Sequence, residues 1–331
     1  MQFSELLAAI STHAIRLQRE EGDLIVLGDD EALDDAVWDQ LIAHKSRLLA
    51  LVAEHGGDWL SPAYRITPAM LPLVSLEQTA IDRIVASIPG GAANVQDIYP
   101  LAPLQEGMLY HHLSAEQGDP YVLHAQFVFD SRGRLEAFAE ALQWVIDRHD
   151  ILRTSMAWES LDAPVQVVWR KATLACEEAH FSGGDALGRL LAGYDARTYR
   201  MDLGQAPLLR LVFADDPANS RVVAMLLFHH TILDHTALDV VRHEIQLYLA
   251  GEQAQAGAPV AFRSYIAQVL HGVGEQEHER FFREMLADID APTLPFGLQD
   301  VQGDGQGIDE ARLPVDSALS LRLRSLARPL G

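Results

Sequence analysis

A single cysteine, Cys176, in 331 residues excludes an internal disulfide and with it the cross-linked scaffold of a small secreted protein. Cationic side chains are scarce. The 25 Lys+Arg against 47 Asp+Glu give a formal charge of −22, which repels a phosphate backbone or an anionic bilayer. Nucleic acid and membrane surface are therefore excluded as expected partners. No apolar run approaches the ~18 residues of a membrane span, and the start MQFSELLAAISTH carries Glu5 and no basic segment ahead of an apolar one, unlike a signal peptide. Internal repeats are lacking, and the one biased tract, DVQGDGQGID at 300–309, reads as a surface loop. What remains is a chain with 49% apolar residues, enough for a sizeable core in two or three domains, and the expectation is a soluble cytoplasmic protein.

The first sixty residues read as a unit. Phe3, Leu6, Leu7 and Ile10 fall at helical spacing. In AIRLQREEGDLIVLG, Ile15 and Leu17 alternate with Arg16 and Gln18, a Glu-Glu-Gly-Asp stretch turns the chain, and Leu24 to Leu27 return it as a β-hairpin. Asp29 or Asp30 is the expected cap of a following helical region. There Val37, Trp38, Leu41, Ile42, Leu48, Leu49 and Val52 form an apolar stripe ending at Gly56-Gly57. A hairpin leaves unpaired strand edges that invite a partner strand. Of the four cations here, set against 12 acidic residues, Arg16 and Arg19 sit on the first strand with Gln18 between them. They mark where an acidic peptide would dock, or they simply keep an exposed edge soluble.

The stretch GGDWLSPAYRITPAMLP at 56–72 is rich in Gly and Pro, and residues 58–72 read as a linker. Beyond them helical and strand patterns alternate. SLEQTAIDRIVASI predicts a helix capped by Ser75 with Gln78 in a capping box, and LEAFAEALQWVIDRH at 135–149 a stronger one. Strands are predicted at 121–129, 164–169, 208–214 and 221–230, the last nearly all apolar and so central in a sheet. The fold class is α/β (α+β), a mixed sheet flanked by helices.

The segment FHHTILDHTALDVVRHEI at 228–245 runs an apolar strand into His229-His230, then a loop with Asp234 and His235, then a helix. A strand that fixes an imidazole and a carboxylate that braces the loop suit general base chemistry. A buried histidine pair at a strand end is the plain alternative. A zinc reading of His229, His230, Asp234 and His235 is weaker, because no two histidines share one helix face at i,i+4 and no cysteine is near.

HHTILDH resembles the HHxxxDG motif of the condensation domains of nonribosomal peptide synthetases. DRHDILRTSM at 147–156, YPLAPLQEGMLYHHL at 99–113 and FRSYIAQVL at 262–270 resemble three further motifs of that family, in order. YHHLSAEQGDPY at 110–121 is similar to the HH(I/L)xxxxGD pattern of the dual epimerisation/condensation subtype, through His111, His112, Leu113, Gly118 and Asp119. Residues 1–57 resemble a TubC-type docking domain, whose hairpin accepts the tail of an upstream synthetase subunit. His235 stands where the family has a glycine.

This resemblance implies a fold like chloramphenicol acetyltransferase and a division into a docking domain at 1–57, a linker at 58–72, an N-terminal lobe at 73–260, and a crossing segment with the start of a second lobe at 261–331. It implies that His230 is the catalytic histidine for amine attack on a thioester, with His229 beside it. Asp234 would hold the loop by an ion pair with Arg153 or, failing that, Arg148. His111 and His112 would serve epimerisation at the donor Cα. No cofactor or metal is bound directly. Substrates arrive on the phosphopantetheine arms of upstream and downstream peptidyl carrier proteins, and a docking-domain homodimer is compatible with the resemblance. Later motifs of the family have no counterpart here, so the chain by itself is expected to be a poor catalyst. A standalone HHxxxD acyltransferase and a pure docking module without activity are the rival readings.

Overall fold

A computed structural model describes residues 3–11, 13, 15–20, 22–28, 33–54, 58–60, 65–181, 183–297, 311 and 313–328. The expected cap at Asp29 or Asp30, the stop at Gly56-Gly57 and the loop at 300–309 lie outside the described residues. Contacts divide the chain into two compact units, Met1–Phe282 and Arg283–Gly331.

The first module has its own core. Helix α1 (Phe3–Ser11) buries Leu6 and Ile10, strand β1 (Ile15–Glu20) buries Ile15 and Leu17, and helices α2 (Asp35–Ala43) and α3 (Lys45–Glu54) add Val37, Leu41, Leu48 and Val52. Ile42, expected in this stripe, is 70% exposed, because it follows Leu41 and so turns about 100° away from the buried face. The helix is capped by Asp34, whose carboxylate accepts from Val37 N at 2.8 Å. Strand β2 (Asp23–Gly28) pairs antiparallel with β1 as the hairpin predicts.

The linker reading needs correction. Residues Asp58–Leu60 form a third strand, β3, which pairs antiparallel with β1 through Arg16↔Leu60, Leu17↔Trp59 and Gln18↔Asp58. The sheet order is β2-β1-β3, so the edge of β1 expected to receive a partner is taken by the chain's own segment. A three-residue strand satisfies the exposed amides of a two-stranded ribbon that is marginal alone. Trp59 packs on the module's core.

Helix α4 (Gln78–Ser87) buries Ala80, Ile81 and Ile84. Its N-cap is Glu77, and the expected Ser75–Gln78 capping box is not made; the Gln78 amide instead donates to Ile66 O (2.9 Å) and Asp82 Oδ1 (2.8 Å). Strand β4 (Val95–Pro100) leads into helix α5 (Pro103–Ser114), and strand β5 (Val122–Phe129) into helix α6 (Arg132–Arg148). Strands β6 (Thr154–Ala157), β7 (Val165–Trp169) and β8 (Ala175–Glu178) follow, then helix α7 (Ala186–Gly193), strands β9 (Leu209–Asp216) and β10 (Arg221–His229), and helix α8 (His235–Ala250).

The α/β class holds, but strands β4 to β10 form two sheets rather than one. Order β5-β10-β9-β8 is mixed, with only β8 and β9 parallel, while β4-β7-β6 is antiparallel. β10 is central as its apolar run predicts: residues 222–229 are all buried, with partners on both sides. The larger sheet packs on α6, α7 and α8 in one core, and the smaller on α4 in another. Helix α9 (Phe262–His271) is tied to the smaller sheet. The Asp150 carboxylate accepts from Phe262 N (3.0 Å) at its start, and Arg263 pairs with Asp97 of β4 at 2.9 Å. Helix α10 (Glu275–Met285) follows, and in the second unit helix α11 (Ser317–Ala327) is capped by Asp316. No helix among the described residues is long and apolar enough to cross a membrane.

Candidate active site

The end of β10 and the end of α5 meet. Successive residues of a strand point to opposite faces, so His229 and His230 cannot share an environment. His229 is fully buried and turns toward α5; His230 is half-exposed. His230 N donates to Tyr121 O at 2.8 Å, which carries the β5–β10 ladder one step beyond the strand and fixes the backbone there.

On α5 the buried residues are Gln105, Met108, Leu109 and His112, the i, i+3, i+4, i+7 stripe of one helix face. His111 is one residue off that face and exposed, its ring 6.1 Å from Tyr121. The two histidines that the sequence leaves equivalent are thus separated by helix geometry. Only His112 points inward.

Between His112 and His229 lies Asp119, fully buried. Its Oδ2 is 2.5 Å from His112 Nδ1 and 3.1 Å from His229 Nε2, while Oδ1 accepts from Tyr121 N at 2.9 Å. Burial alone pushes this carboxyl up, but the hydrogen bonds from His112, His229 and the Tyr121 amide outweigh it and hold the group well below the usual carboxylate range. Asp119 is an anion that only accepts.

Proton positions follow from this. A backbone amide only donates, so Thr231 N, 3.2 Å from His229 Nδ1, makes that nitrogen an acceptor; the Thr231 hydroxyl lies 2.8 Å from the same atom. Neutral His229 therefore carries its proton on Nε2 and donates it to Asp119. His112 likewise donates from Nδ1 to the carboxylate, which leaves Nε2 as its basic nitrogen. His230 Nδ1 is 2.9 Å from the carbonyl oxygen of Leu233, an acceptor only, so His230 also presents Nε2 as a base. In its neutral form each of these two imidazoles therefore has Nε2 as the acceptor nitrogen, and the two are rooted on adjacent elements.

His112, Asp119 and His229 offer ligand atoms within 4.8 Å of one another, as a metal cluster would. This set differs from the four residues weighed in the sequence. Its donor chemistry fits shared protons better: a metal on His229 Nε2 would require a proton on Nδ1, where a backbone N–H already points.

The expected ion pair of Asp234 is not formed. Asp234 is exposed and caps α8, its carboxylate accepting from Ala237 N at 2.6 Å. Arg153 is buried instead under carbonyl groups, donating to Ile146 O (3.1 Å), Trp169 O and Gln96 Oε1 (3.0 Å). Arg148 pairs with Glu244 of α8 at 3.2 Å, which also meets His149 Nε2 at 2.9 Å. A capping carboxylate at a helix start already has a partner in the backbone, and both arginines reach other acceptors from their own elements. His235 opens α8 as an exposed residue.

Gln105 was not singled out in the sequence; its side-chain nitrogen donates to Thr231 O at 2.9 Å and its oxygen accepts from Gln166 at 2.9 Å, bracing the loop after β10 against α5 and β7. Helical spacing from Met108 and Leu109 would have flagged it.

A family profile described as the condensation domain matches residues 95–330. Malpinin synthetase of Mortierella alpina is 44% identical over 294 residues, covering 86% of this chain and 4% of that protein. A linear gramicidin synthase of Brevibacillus parabrevis is 33% identical over 276 residues, 79% of this chain and 3% of that one. Among solved structures, the EpoB NRPS cyclization-docking bidomain of Sorangium cellulosum aligns with a TM-score of 0.46 at 18% identity, over 90% of this chain and 57% of that chain. The chain spans a small fraction of the length of the synthetases it matches.

Proposed function

The chain belongs to the condensation-domain family, the amide-forming domains of nonribosomal peptide synthetases, and from that membership we propose that it serves a longer synthetase by epimerising a donor thioester at Cα and joining it to an acceptor amine. The observation that carries the dual reading is the His112–Asp119 pair, a histidine and carboxylate 2.5 Å apart in which the carboxylate engages Nδ1 and not Nε2.

In amide formation, His230 Nε2 takes a proton from the acceptor amine as its nitrogen attacks the thioester carbonyl. The new C–N bond forms, the C–S bond breaks, and the proton passes to the departing thiolate. In epimerisation, His112 Nε2 removes the Cα proton, acidified by the adjacent thioester, and a proton returns on the opposite face. Asp119 holds the imidazole in the required tautomer and stabilises the imidazolium, as the carboxylate of a catalytic triad does. No redox or metal chemistry is needed, and both substrates would be presented on phosphopantetheine arms of carrier proteins.

The first module is proposed to receive the tail of an upstream subunit. With β3 seated on β1, a strand-adding tail has the outer side of β2, which among the described residues pairs only with β1. Arg19 is exposed beyond the stretch that β3 covers, whereas Arg16 is half-buried opposite Leu27 and Leu60. The test of the enzymatic reading is amide formation in the complete synthetase, read by intact mass on the downstream carrier protein. His230→Ala should lower the rate by about 10²–10⁴. A folded variant with an unchanged rate would remove His230 from catalysis.

A further inference from the structure

We infer that Arg200, which lies outside every motif of the sequence, is a positioning residue for proton exchange: its guanidinium fixes the loop that presents Asp119 to His112. This rests on the reading of His112 as the exchange base.

Arg200 is half-buried, and its head group is spent on three main-chain carbonyls. Nη2 donates to His112 O at 2.5 Å, and Nη1 donates to Ala115 O at 2.7 Å and to Gly118 O at 3.1 Å. These oxygens belong to the last turn of α5, to its C-cap residue, and to the residue directly before Asp119. The final carbonyls of a helix have no intrahelical partner and carry partial negative charge, so a cation there is doubly favoured. A planar fork with five N–H groups can span three acceptors at fixed angles; an ammonium is a point donor on a flexible stem.

The loop is held from its other side as well. Asp119 N donates to Ala196 O at 2.7 Å. Gly118 has φ +68°, and a Cβ there would lie 2.4 Å from Arg197 O and 2.6 Å from Ala196 O. Residues 196–200 therefore grip residues 112–119 at both ends, and Arg200 supplies the side-chain hydrogen bonds of the grip. Its acceptors include His112 itself and the neighbour of Asp119, so it sets the spacing between imidazole and carboxylate. Its three hydrogen bonds all go to α5 and the loop after it, whereas the ring and backbone of His230 are held by Leu233 O and Tyr121 O.

The test compares Arg200→Met and Arg200→Lys with wild type and His112→Ala in the complete synthetase. Two rates are read: deuterium wash-in at Cα of the donor thioester, and condensation of a donor supplied in the D configuration. Arg200→Met should lower wash-in by about 10²-fold, the scale of a 1 Å misplacement, at unchanged KM for the donor-loaded carrier protein and with D-donor condensation within about twofold. Arg200→Lys should recover part of the exchange rate. Equal loss in both reactions would mean a general structural role and overturn the inference, as would wild-type wash-in in Arg200→Met. If Arg200→Met does not fold, the same split between the two rates in Arg200→Lys supports the inference and its absence overturns it. Loss of wash-in in His112→Ala with full wash-in in Arg200→Met sinks the Arg200 role alone, whereas full wash-in in His112→Ala sinks the base assignment and this inference with it.

Discussion

Replacing Asp119 by Asn keeps the volume of the side chain and removes one acceptor and one charge. The carboxylate now takes three hydrogen bonds, from His112 Nδ1, His229 Nε2 and Tyr121 N. An amide has one oxygen. Whichever way it is turned, its NH₂ group faces at least one N–H of the cluster, and a hydrogen bond to a charged group is replaced by an opposed pair of donors. Such a bond is worth about 1.5–3 kcal/mol, so Asp119→Asn should lose about that much stability at neutral pH. The loss in exchange should be larger, about 10²–10⁴ in the rate of deuterium wash-in, because His112 loses the acceptor that fixes its tautomer. The sign with pH is fixed by the depressed carboxyl. A group whose folded pKa lies below its unfolded value stabilises the fold above the unfolded value, about 3.9 for Asp, and loses that contribution as pH falls toward the folded value. The stability difference between wild type and Asp119→Asn should thus be full at about pH 6–8 and shrink below about pH 4. Urea melts across that range and wash-in followed by mass spectrometry read both quantities. Wild-type exchange in a folded Asp119→Asn protein would refute the dyad, and a stability gap that widens in acid would refute the ionised carboxylate.

Leu142, fully buried where α6 meets the larger sheet, should cost about 2–5 kcal/mol when cut to Ala, while exposed Ile42→Ala should stay within about 0.5 kcal/mol; chemical denaturation compares them. Asp234→Ala should cost about 1 kcal/mol through its lost helix cap. Combined with Arg153→Met it should be additive within about 0.5 kcal/mol, because the two side chains share no contact, and a larger coupling in the double-mutant cycle would restore the ion pair.

What the sequence made legible is what local pattern encodes. The all-apolar run at 221–230 could be little but a central strand, the hairpin at 15–28 carried its own alternation and turn, and α6 showed its periodicity over four turns. Short strands were invisible for a reason. β6 and β8 are four residues each, TSMA and ACEE, too short to show alternation, and β3 is a three-residue Asp-Trp-Leu whose strand character exists only because β1 offers an edge. At the site, the motif histidines and Asp119 stood out as residues, but their relations did not. The choice of His112 over His111 was available from helical spacing with Gln105, Met108 and Leu109. The partner of Asp234 was not, since a helix-capping carboxylate and an ion-paired one look alike in sequence. Arg200 could not have been found, because its three carbonyl partners lie more than eighty positions away and carry no residue signature.

The most direct test of two bases on one scaffold is a single product assay. A donor thioester in the L configuration and an acceptor amine, each on its carrier protein in deuterated buffer, are followed by mass spectrometry for Cα deuterium and for amide formation in wild type, His112→Ala and His230→Ala. His230→Ala should accumulate deuterated donor without amide, and His112→Ala should leave the donor unexchanged while still condensing a donor supplied in the D configuration. Exchange that persists in His112→Ala, or that vanishes in His230→Ala together with the amide, would contradict the division of labour between His112 and His230.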